Sequence, residues 1–258
     1  MTESAAPLRL VSTSRASDGS FTAISEIGAL LCDSPHRLIG GVAVVLHQHR
    51  LGLAHPVRAT ADADFGVPPY ALRDDSLVAA VSRLGYQQVA GNRWSRPIDE
   101  TREATVDLLV PSYRTRVRSS VQHGGTNTTE VGGLALALKR PAVTITGTVT
   151  LTDGNELPLD LSIPDVPSML GLKVHARHAR AEDRDAVDVW TCMELLVAAQ
   201  ELDEFRSSDF DDVRELLANE FGDDGPSIRI VTAGVAEAES ARRRTRIRGL
   251  VRAIKGSQ

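Results

Sequence analysis

The sequence predicts an α+β protein with a mixed sheet in its N-terminal half and a helical C-terminal half. Up to residue 163, segments with helix-like and strand-like apolar spacing alternate, whereas the spacing is helical from Val166 onward. Strand-like runs flank the turn Asp153-Gly154-Asn155, which predicts a β-hairpin near the end of the first half. We therefore expect an α/β domain over residues 1–163 and a helical domain with a basic tail over residues 164–258.

The individual elements are predicted from local apolar spacing and from turn residues. Most strand predictions depend on alternating apolar residues, and Ala104–Val110 is apolar enough to be buried on both faces. In chain order, the predictions are a helix over Phe21–Leu31, a short strand over Arg37–Gly41, a helix over Val42–Leu46, a strand over Arg58–Val67, a helix over Asp74–Leu84, a strand over Ala104–Val110, turns at Thr126–Thr129 and Gly132-Gly133, and breaks in the helical half near Ser207–Asp209 and Phe221–Pro226.

Composition and charge favour a soluble globular enzyme. The 258 residues are 42% hydrophobic and 24% charged, with a net charge of −5. The apolar run around Leu38–Leu46 is shorter than the roughly 20 residues needed to span a bilayer, and the first twenty residues lack the apolar stretch of a secretory signal. We therefore expect a cytoplasmic protein. Cys32 and Cys192 are too few for a disulfide framework or a zinc site, and we expect both to be buried.

A pair of carboxylates marks the strand predicted over Arg58–Val67. Alternate side chains of a strand point to the same face, so Arg58, Thr60, Asp62 and Asp64 would project together. Adjacent carboxylates repel each other, and a bound divalent cation relieves that repulsion. Oxygen ligands fit Mg²⁺ or Mn²⁺ rather than zinc. Taken alone, the short Asp-x-Asp pattern is better explained as the solvated face of an edge strand.

Two further features favour a phosphate-binding and metal-binding site. Gly40 and Gly41 lie where a predicted strand meets a predicted helix, and backbone N–H groups can approach a phosphate at such a junction. Asp107 lies in an otherwise apolar strand and needs a partner or a metal ion there. Each feature also has a simpler explanation, a plain turn for the glycines and an ion pair with an arginine for Asp107.

A second charged segment lies in the helical half. If the chain is helical here, residues at steps of three and four form one charged stripe: Lys173, Arg177, Arg180, Arg184 and Asp188. A solvated helix face is the alternative, and we prefer it for Arg177. Lysine is rare in this chain, with three lysines among the 29 basic residues, so a lysine inside a motif indicates a specific role.

Together, the two segments resemble the AbiEii/MenT-type nucleotidyltransferase toxins, which have a polymerase-β-like fold. The first segment is similar to the signature Gly-Gly … Arg-x-Thr-x-Asp-x-Asp of that family. The second is similar to its signature Lys-x-x-Ala-x-x-x-Arg-x-x-x-(Lys/Arg)-Asp-x-x-Asp, which is matched here by Lys173, Ala176, Arg180, Arg184, Asp185 and Asp188. The chain departs from many relatives of this fold at Gly40-Gly41, where they have Gly-Ser.

The resemblance implies a role for each matched residue. Asp62 and Asp64 would bind Mg²⁺ or Mn²⁺, with Asp107 as a third carboxylate that shares the metal or takes a proton from the attacking hydroxyl. Lys173 would neutralise phosphate charge, and Asp188 would position Lys173 or the acceptor. The remaining residues would bind the nucleoside triphosphate, NTP: Gly40, Gly41, Arg58 and Thr60.

The resemblance also implies an activity and partners. Family members transfer a nucleotide from an NTP, some of them to the 3′ end of tRNA, and a cognate antitoxin usually restrains them. Two other functions stay open, transfer to a small molecule or protein and non-catalytic nucleotide binding on the same fold. A tRNA acceptor needs a basic surface, and the C-terminal segment from Arg242 to Lys255 has seven basic residues and no acidic one. A solvated, partly disordered amphipathic helix explains this tail equally well.

Overall fold

The computed structural model describes residues 7–53, 55, 61–73, 76–114, 117–223 and 225–256. Strands and helices are interspersed up to Ile163, and the described residues after it form helices without strands, so the predicted α+β class is confirmed. The strands are β1 (Leu8–Val11), β2 (Arg37–Ile39), β3 (Ala63–Gly66), β4 (Gln87–Ala90), β5 (Arg93–Pro97), β6 (Glu103–Pro111), β7 (Val121–His123), β8 (Thr126–Val131), β9 (Val143–Thr150) and β10 (Glu156–Ile163). The helices are α1 (Arg15–Leu31), α2 (Gly40–Leu51), α3 (Ser76–Arg83), α4 (Leu134–Lys139), α5 (Val166–Arg180), α6 (Asp183–Ala198), α7 (Leu202–Phe205), α8 (Asp211–Phe221), α9 (Pro226–Thr232) and α10 (Glu237–Lys255).

The larger sheet is mixed and has β6 near its centre. Its strand order is β2-β3-β6-β5-β4, and β8 pairs with both β6 and β7. The strands β3 and β6 are parallel, whereas β2 and β5 run antiparallel to their neighbours. Strand β6 is buried over most of its length, as its apolar composition predicts.

A smaller sheet and helix α1 complete the N-terminal half. The predicted hairpin is confirmed, because β9 and β10 pair in antiparallel register across the turn at residues 151–155, and β1 pairs in parallel with β9. Helix α1 packs against β6 of the larger sheet and β10 of the smaller one. It begins earlier than predicted, because the hydroxyl of Ser14 caps it by accepting a hydrogen bond from the backbone N–H of Ser17.

The chain after Val166 is helical, as predicted, and α5 and α6 pack against each other. The predicted interruptions lie where expected, at a 3₁₀ turn over Ser208–Phe210 and between α8 and α9. Buried residues of both halves form one contiguous apolar core, and the division of the chain at residue 163 into two domains stays a prediction. None of the helices in the described residues is both long and apolar enough to cross a membrane.

Three sequence predictions are wrong. Within the described part of the strand predicted over Arg58–Val67, residues 61, 62 and 67 lie outside the strand Ala63–Gly66, and residues 58–60 are not described. Thr126–Thr129 belongs to strand β8 rather than a turn, in agreement with the β preference of threonine. Cys32 is exposed, although Cys192 is buried as expected. The sequence patterns also missed strands β4 and β5.

His47 connects helix α2, through a hydrogen bond, to the segment between β10 and α5. The ring is fully buried, its Nε2 donates a hydrogen bond to the carbonyl of Pro164 at 2.8 Å, and Nη2 of Arg50 lies 3.2 Å from Nδ1. Burial, with the charge of Arg50 as a smaller cause, lowers the pKa of His47 from 6.5 to about 4. The imidazole is therefore neutral in the folded protein at neutral pH.

This depressed pKa predicts a loss of stability in acid. Between pH 6.5 and about 4 the unfolded chain binds a proton at residue 47 that the folded protein does not, so the free energy of unfolding falls as the pH is lowered. The shift corresponds to roughly 3 kcal/mol. Urea unfolding across this range should have a shallower pH dependence in His47→Leu than in the wild type. His49→Leu, on the exposed side of the same helix, is the matched control, and equal slopes for all three proteins would contradict the prediction.

Candidate active site

The candidate site is a row of residues across the larger sheet. Ile39 of β2 pairs with Asp64 of β3, Asp64 pairs with Asp107 of β6, and Asp107 pairs with Arg93 of β5. Directly paired residues on neighbouring strands point to the same face, so the two carboxylates and the guanidinium lie together. Asp62 lies just before β3, within hydrogen-bond distance of the same guanidinium. The pairing of strands thus places Asp64 beside Asp107, and Arg93 links Asp107 to Asp62.

Gly40 places the start of helix α2 directly against Asp64. Its φ of +75° lies in the left-handed region that favours glycine, and a Cβ atom there would lie 1.9 Å from Oδ2 of Asp64. A carboxylate at the start of a helix also interacts favourably with the helix dipole. Gly40 is therefore required for this close approach. Gly41 follows it as the second residue of α2, so the predicted glycine pair does open a helix beside the carboxylates.

The carboxylates carry an excess of negative charge. The pKa of Asp64 is raised to about 6, mainly because its carboxyl is buried and, second, because the charge of Asp107 lies nearby. The ammonium of Lys173 lowers this pKa. Asp107 is buried and Asp62 is partly exposed. This charge can be relieved by a proton on Asp64 or by a bound cation.

Arg93 supplies a positive charge at the site. Its Nη2 lies 2.9 Å from Oδ2 of Asp62 and 3.1 Å from Oδ2 of Asp107, and its Nε lies 3.1 Å from Oδ1 of Asp107. The sequence analysis missed this residue, because strand β5 was not predicted. The sequence indicates this strand only weakly, through the turn at Gly91-Asn92 and the alternation of Arg93 with Ser95 after it.

The donor set fits a hard divalent cation, although the side chains are not gathered around one point. In the described part of the chain, no three acidic, histidine or cysteine side chains converge closely enough to hold a metal ion. Asp62 and Asp107 are directed to Arg93 instead. The oxygen-only chemistry and the raised pKa of Asp64 nevertheless match the preference of Mg²⁺ and Mn²⁺ for carboxylates. Binding of a metal ion by Asp62, Asp64 and Asp107 stays a prediction.

Lys173 and Asp188 form a buried ion pair between α5 and α6. The distance from Nζ of Lys173 to Oδ2 of Asp188 is 2.7 Å, and both side chains are almost fully buried. The predicted single charged stripe is wrong, because the chain turns at Ala181, which has a φ of +55°, and α6 begins only at Asp183. Lys173 and Asp188 therefore meet across a helical hairpin.

The apolar neighbours of Lys173 connect it to the sheet. Leu172 lies in a small buried cluster with Ile39 of β2, Leu109 of β6 and Leu134 of α4. Leu109 is two residues after Asp107 and faces the same side of the sheet. The charge of Lys173 also lowers the pKa of Asp64. The fold thus places the lysine of the second motif on the carboxylate-bearing face of the sheet.

The other basic residues of this segment have structural contacts. Arg177 is buried, and its Nε donates hydrogen bonds to Glu220 at 2.9 Å and Ser227 at 3.0 Å, so the preferred prediction of a solvated Arg177 is wrong. Arg180 binds both carboxylate oxygens of the buried Asp185. These arginines fix the ends of the helical hairpin.

A separate groove of about 610 Å³ lies on the opposite side of α5. Helix α5 contributes Ser168, Gly171, His175 and His178 to its lining, at steps of three and four residues. Lys173 lies on the other face of the helix. The groove is therefore distinct from the carboxylate row.

The described residues hold most of the predicted site. Asp62, Asp64 and Asp107 come together beside Gly40, and Lys173 pairs with Asp188. Arg58 and Thr60, predicted to bind the triphosphate, lie outside the described residues. The catalytic roles of all these residues stay predictions.

Comparison with known proteins finds a structural similarity at low sequence identity. No protein-family model matches the chain, and a search of the curated proteins gives no match. Among solved structures, the chain matches MenT4, a nucleotidyltransferase toxin from Mycobacterium tuberculosis H37Rv. The sequence identity is 16% and the TM-score is 0.37, and the match covers 95% of this chain and 86% of that chain.

The contact between Gly40 and Asp64 predicts a large effect of Gly40→Ala. The control is Gly52→Ala, because Gly52 also has a positive φ but a Cβ atom there would meet nothing within 4 Å. Gly52→Ala should lower the free energy of unfolding by about 1 kcal/mol from backbone strain alone. Gly40→Ala should lower it further, because its methyl group displaces the Asp64 carboxylate. Equal losses in urea unfolding would contradict this close approach.

The buried ion pair predicts that substitutions of Lys173 and Asp188 affect stability and activity differently. Lys173→Met leaves Asp188 buried without its ammonium and should cost about 3–5 kcal/mol in the free energy of unfolding. The double variant Lys173→Met/Asp188→Leu should recover part of that loss, because both charges of the ion pair are removed. If Lys173 also acts on substrate, the double variant stays inactive despite its stability. A stable and active double variant would reduce the pair to a structural role.

Proposed function

We propose that this protein is a metal-dependent nucleotidyltransferase, the toxin of a toxin–antitoxin system, which transfers a nucleotide from an NTP to the 3′ end of tRNA. The observation that carries the proposal is the pairing of Asp64 with Asp107 beside Gly40, with Lys173 on the same side of the sheet. The matched motifs support the acceptor and the toxin role.

The proposed reaction breaks a phosphoanhydride bond of the NTP and forms a phosphoester bond to the acceptor. The acceptor hydroxyl oxygen attacks the α-phosphorus of the NTP, and the bond from that phosphorus to the bridging oxygen of the β-phosphate breaks. Pyrophosphate leaves, and the proton of the hydroxyl passes to a carboxylate, for which Asp107 is our candidate. A Mg²⁺ or Mn²⁺ ion held by Asp62, Asp64 and Asp107 would neutralise phosphate charge.

The protein's own groups would position the triphosphate. The first backbone N–H groups of α2, at Gly40 and Gly41, have no partner within the helix and are suited to bind phosphate oxygens. Lys173 supplies a positive charge, and its ion pair with Asp188 holds the ammonium in one orientation. Catalysis would then consist of orientation and charge stabilisation.

Helix α10 gives the proposed tRNA acceptor a basic surface. The predicted basic tail is an ordered helix whose apolar side, including Ile247 and Leu250, is buried. Within it, Arg243 and Arg246 are engaged by Glu239 and Glu194. The exposed face has a stripe of basic residues at steps of three and four: Arg244, Arg248, Arg252 and Lys255. Binding of a phosphate backbone there would weaken steeply with salt.

The proposal is tested by a labelling experiment. The purified protein is incubated with Mg²⁺, total tRNA and each α-³²P-labelled NTP in turn, and the products are separated on a denaturing gel. We expect label on tRNA with at least one NTP, and its loss in Asp62→Ala and Asp64→Ala. Asp203→Ala, which removes an almost fully exposed carboxylate, is the matched control and should keep full labelling.

The other outcomes separate the competing functions. Label that is absent from tRNA but appears on an added protein or small molecule would overturn the tRNA acceptor and keep the transferase. NTP binding without transfer to any acceptor would favour a non-catalytic nucleotide-binding protein. Transfer that survives Asp62→Ala would exclude the carboxylate row as the site.

A further inference from the structure

Arg93 engages the same oxygen atoms that a metal ion would need. One guanidinium reaches Oδ2 of Asp62 and both carboxylate oxygens of Asp107, at 2.9 to 3.1 Å. A carboxylate oxygen that accepts this charged hydrogen bond is not free to coordinate a divalent cation in the same direction. Arg93 and a metal ion therefore compete for Asp62 and Asp107.

The position of Arg93 makes this competition reversible. The Arg93 side chain is 42% exposed and that of Asp62 is 40% exposed, whereas that of Asp107 is 12% exposed. Exposed ion pairs contribute only about 0–1 kcal/mol, so the contact of the guanidinium with Asp62 can be given up at small cost. The carboxylate of Asp107 is held within the sheet and stays in place. A cation with two charges gains more from these oxygens than the guanidinium does.

We propose that Arg93 is a placeholder cation, which neutralises Asp62 and Asp107 in the metal-free protein and is displaced when a divalent metal ion binds. Arg93 is thus a positioning residue for the metal site and sets the metal concentration at which the site fills. The inference rests on the proposed metal-dependent function. It assigns a role to a residue that neither sequence motif contains.

Direct metal binding tests the proposal without an assay of activity. Mn²⁺ is titrated into the full-length protein, and free Mn²⁺ is measured by electron paramagnetic resonance. Arg93→Gln should bind Mn²⁺ about tenfold more tightly than the wild type, because its competitor is gone and one repelling charge is lost. Arg252→Gln, on the exposed face of α10, removes the same charge elsewhere and should bind Mn²⁺ as the wild type does.

A second readout separates displacement from a purely structural role. Without metal, Arg93→Gln should unfold at a lower temperature than the wild type, because Asp62 and Asp107 repel each other unpaired. Saturating Mn²⁺ should raise its Tm by more than it raises that of the wild type. Arg93→Lys keeps the charge but cannot bridge two carboxylates in the same way, so its Mn²⁺ affinity should be intermediate.

Failure of this proposal can be told apart from failure of the proposed function. If Asp64→Asn binds Mn²⁺ as tightly as the wild type, the carboxylates are not the metal site and both proposals fail. If binding depends on Asp64 but Arg93→Gln binds Mn²⁺ equally or more weakly, only the placeholder role of Arg93 is overturned.

Discussion

Two like-charged carboxylates lie side by side on neighbouring parallel strands, and much of the candidate site follows from this arrangement. Asp64 and Asp107 are direct partners in the β3–β6 register. The hydrogen bonds of the sheet fix the separation of their backbones, so repulsion between the carboxylates cannot be reduced by moving the strands apart. The folded protein tolerates this charge through a proton, a positive side chain or a bound ion.

The groups around the carboxylates interact with that negative charge. Gly40 lets the start of α2 approach Asp64 closely, Arg93 binds Asp62 and Asp107, and Lys173 contributes a second positive charge nearby. Because Gly40, Arg93 and Lys173 come from α2, β5 and α5, the site forms only when the sheet and the helical hairpin are both in place. The positive charges of Arg93 and Lys173 partly offset the charge of the carboxylates, which is compatible with stable folding before any substrate binds.

Local sequence patterns predicted the structural elements that are determined by residues close together in the sequence. The β9–β10 hairpin, the buried strand β6 and the long helical half were expected from turn residues and apolar periodicity. Predictions that needed long-range information were incomplete. Asp62 lies outside the short strand β3, and the chain turns at Ala181, where helical spacing alone predicts one continuous helix. Arg177 was expected in solvent because its partner Glu220 lies 43 residues further along the chain.

The sequence by itself determined the fold class and the chemical groups available to the site: carboxylates, a glycine pair and a rare lysine, in an order that resembles a known family. Only the tertiary structure decided which of them meet. The register of β5 on β6 brought in Arg93, and the packing of α5 on α6 paired Lys173 with Asp188. The physical reason is that strand register and helix packing depend on the whole buried core, whereas residue type and periodicity are local.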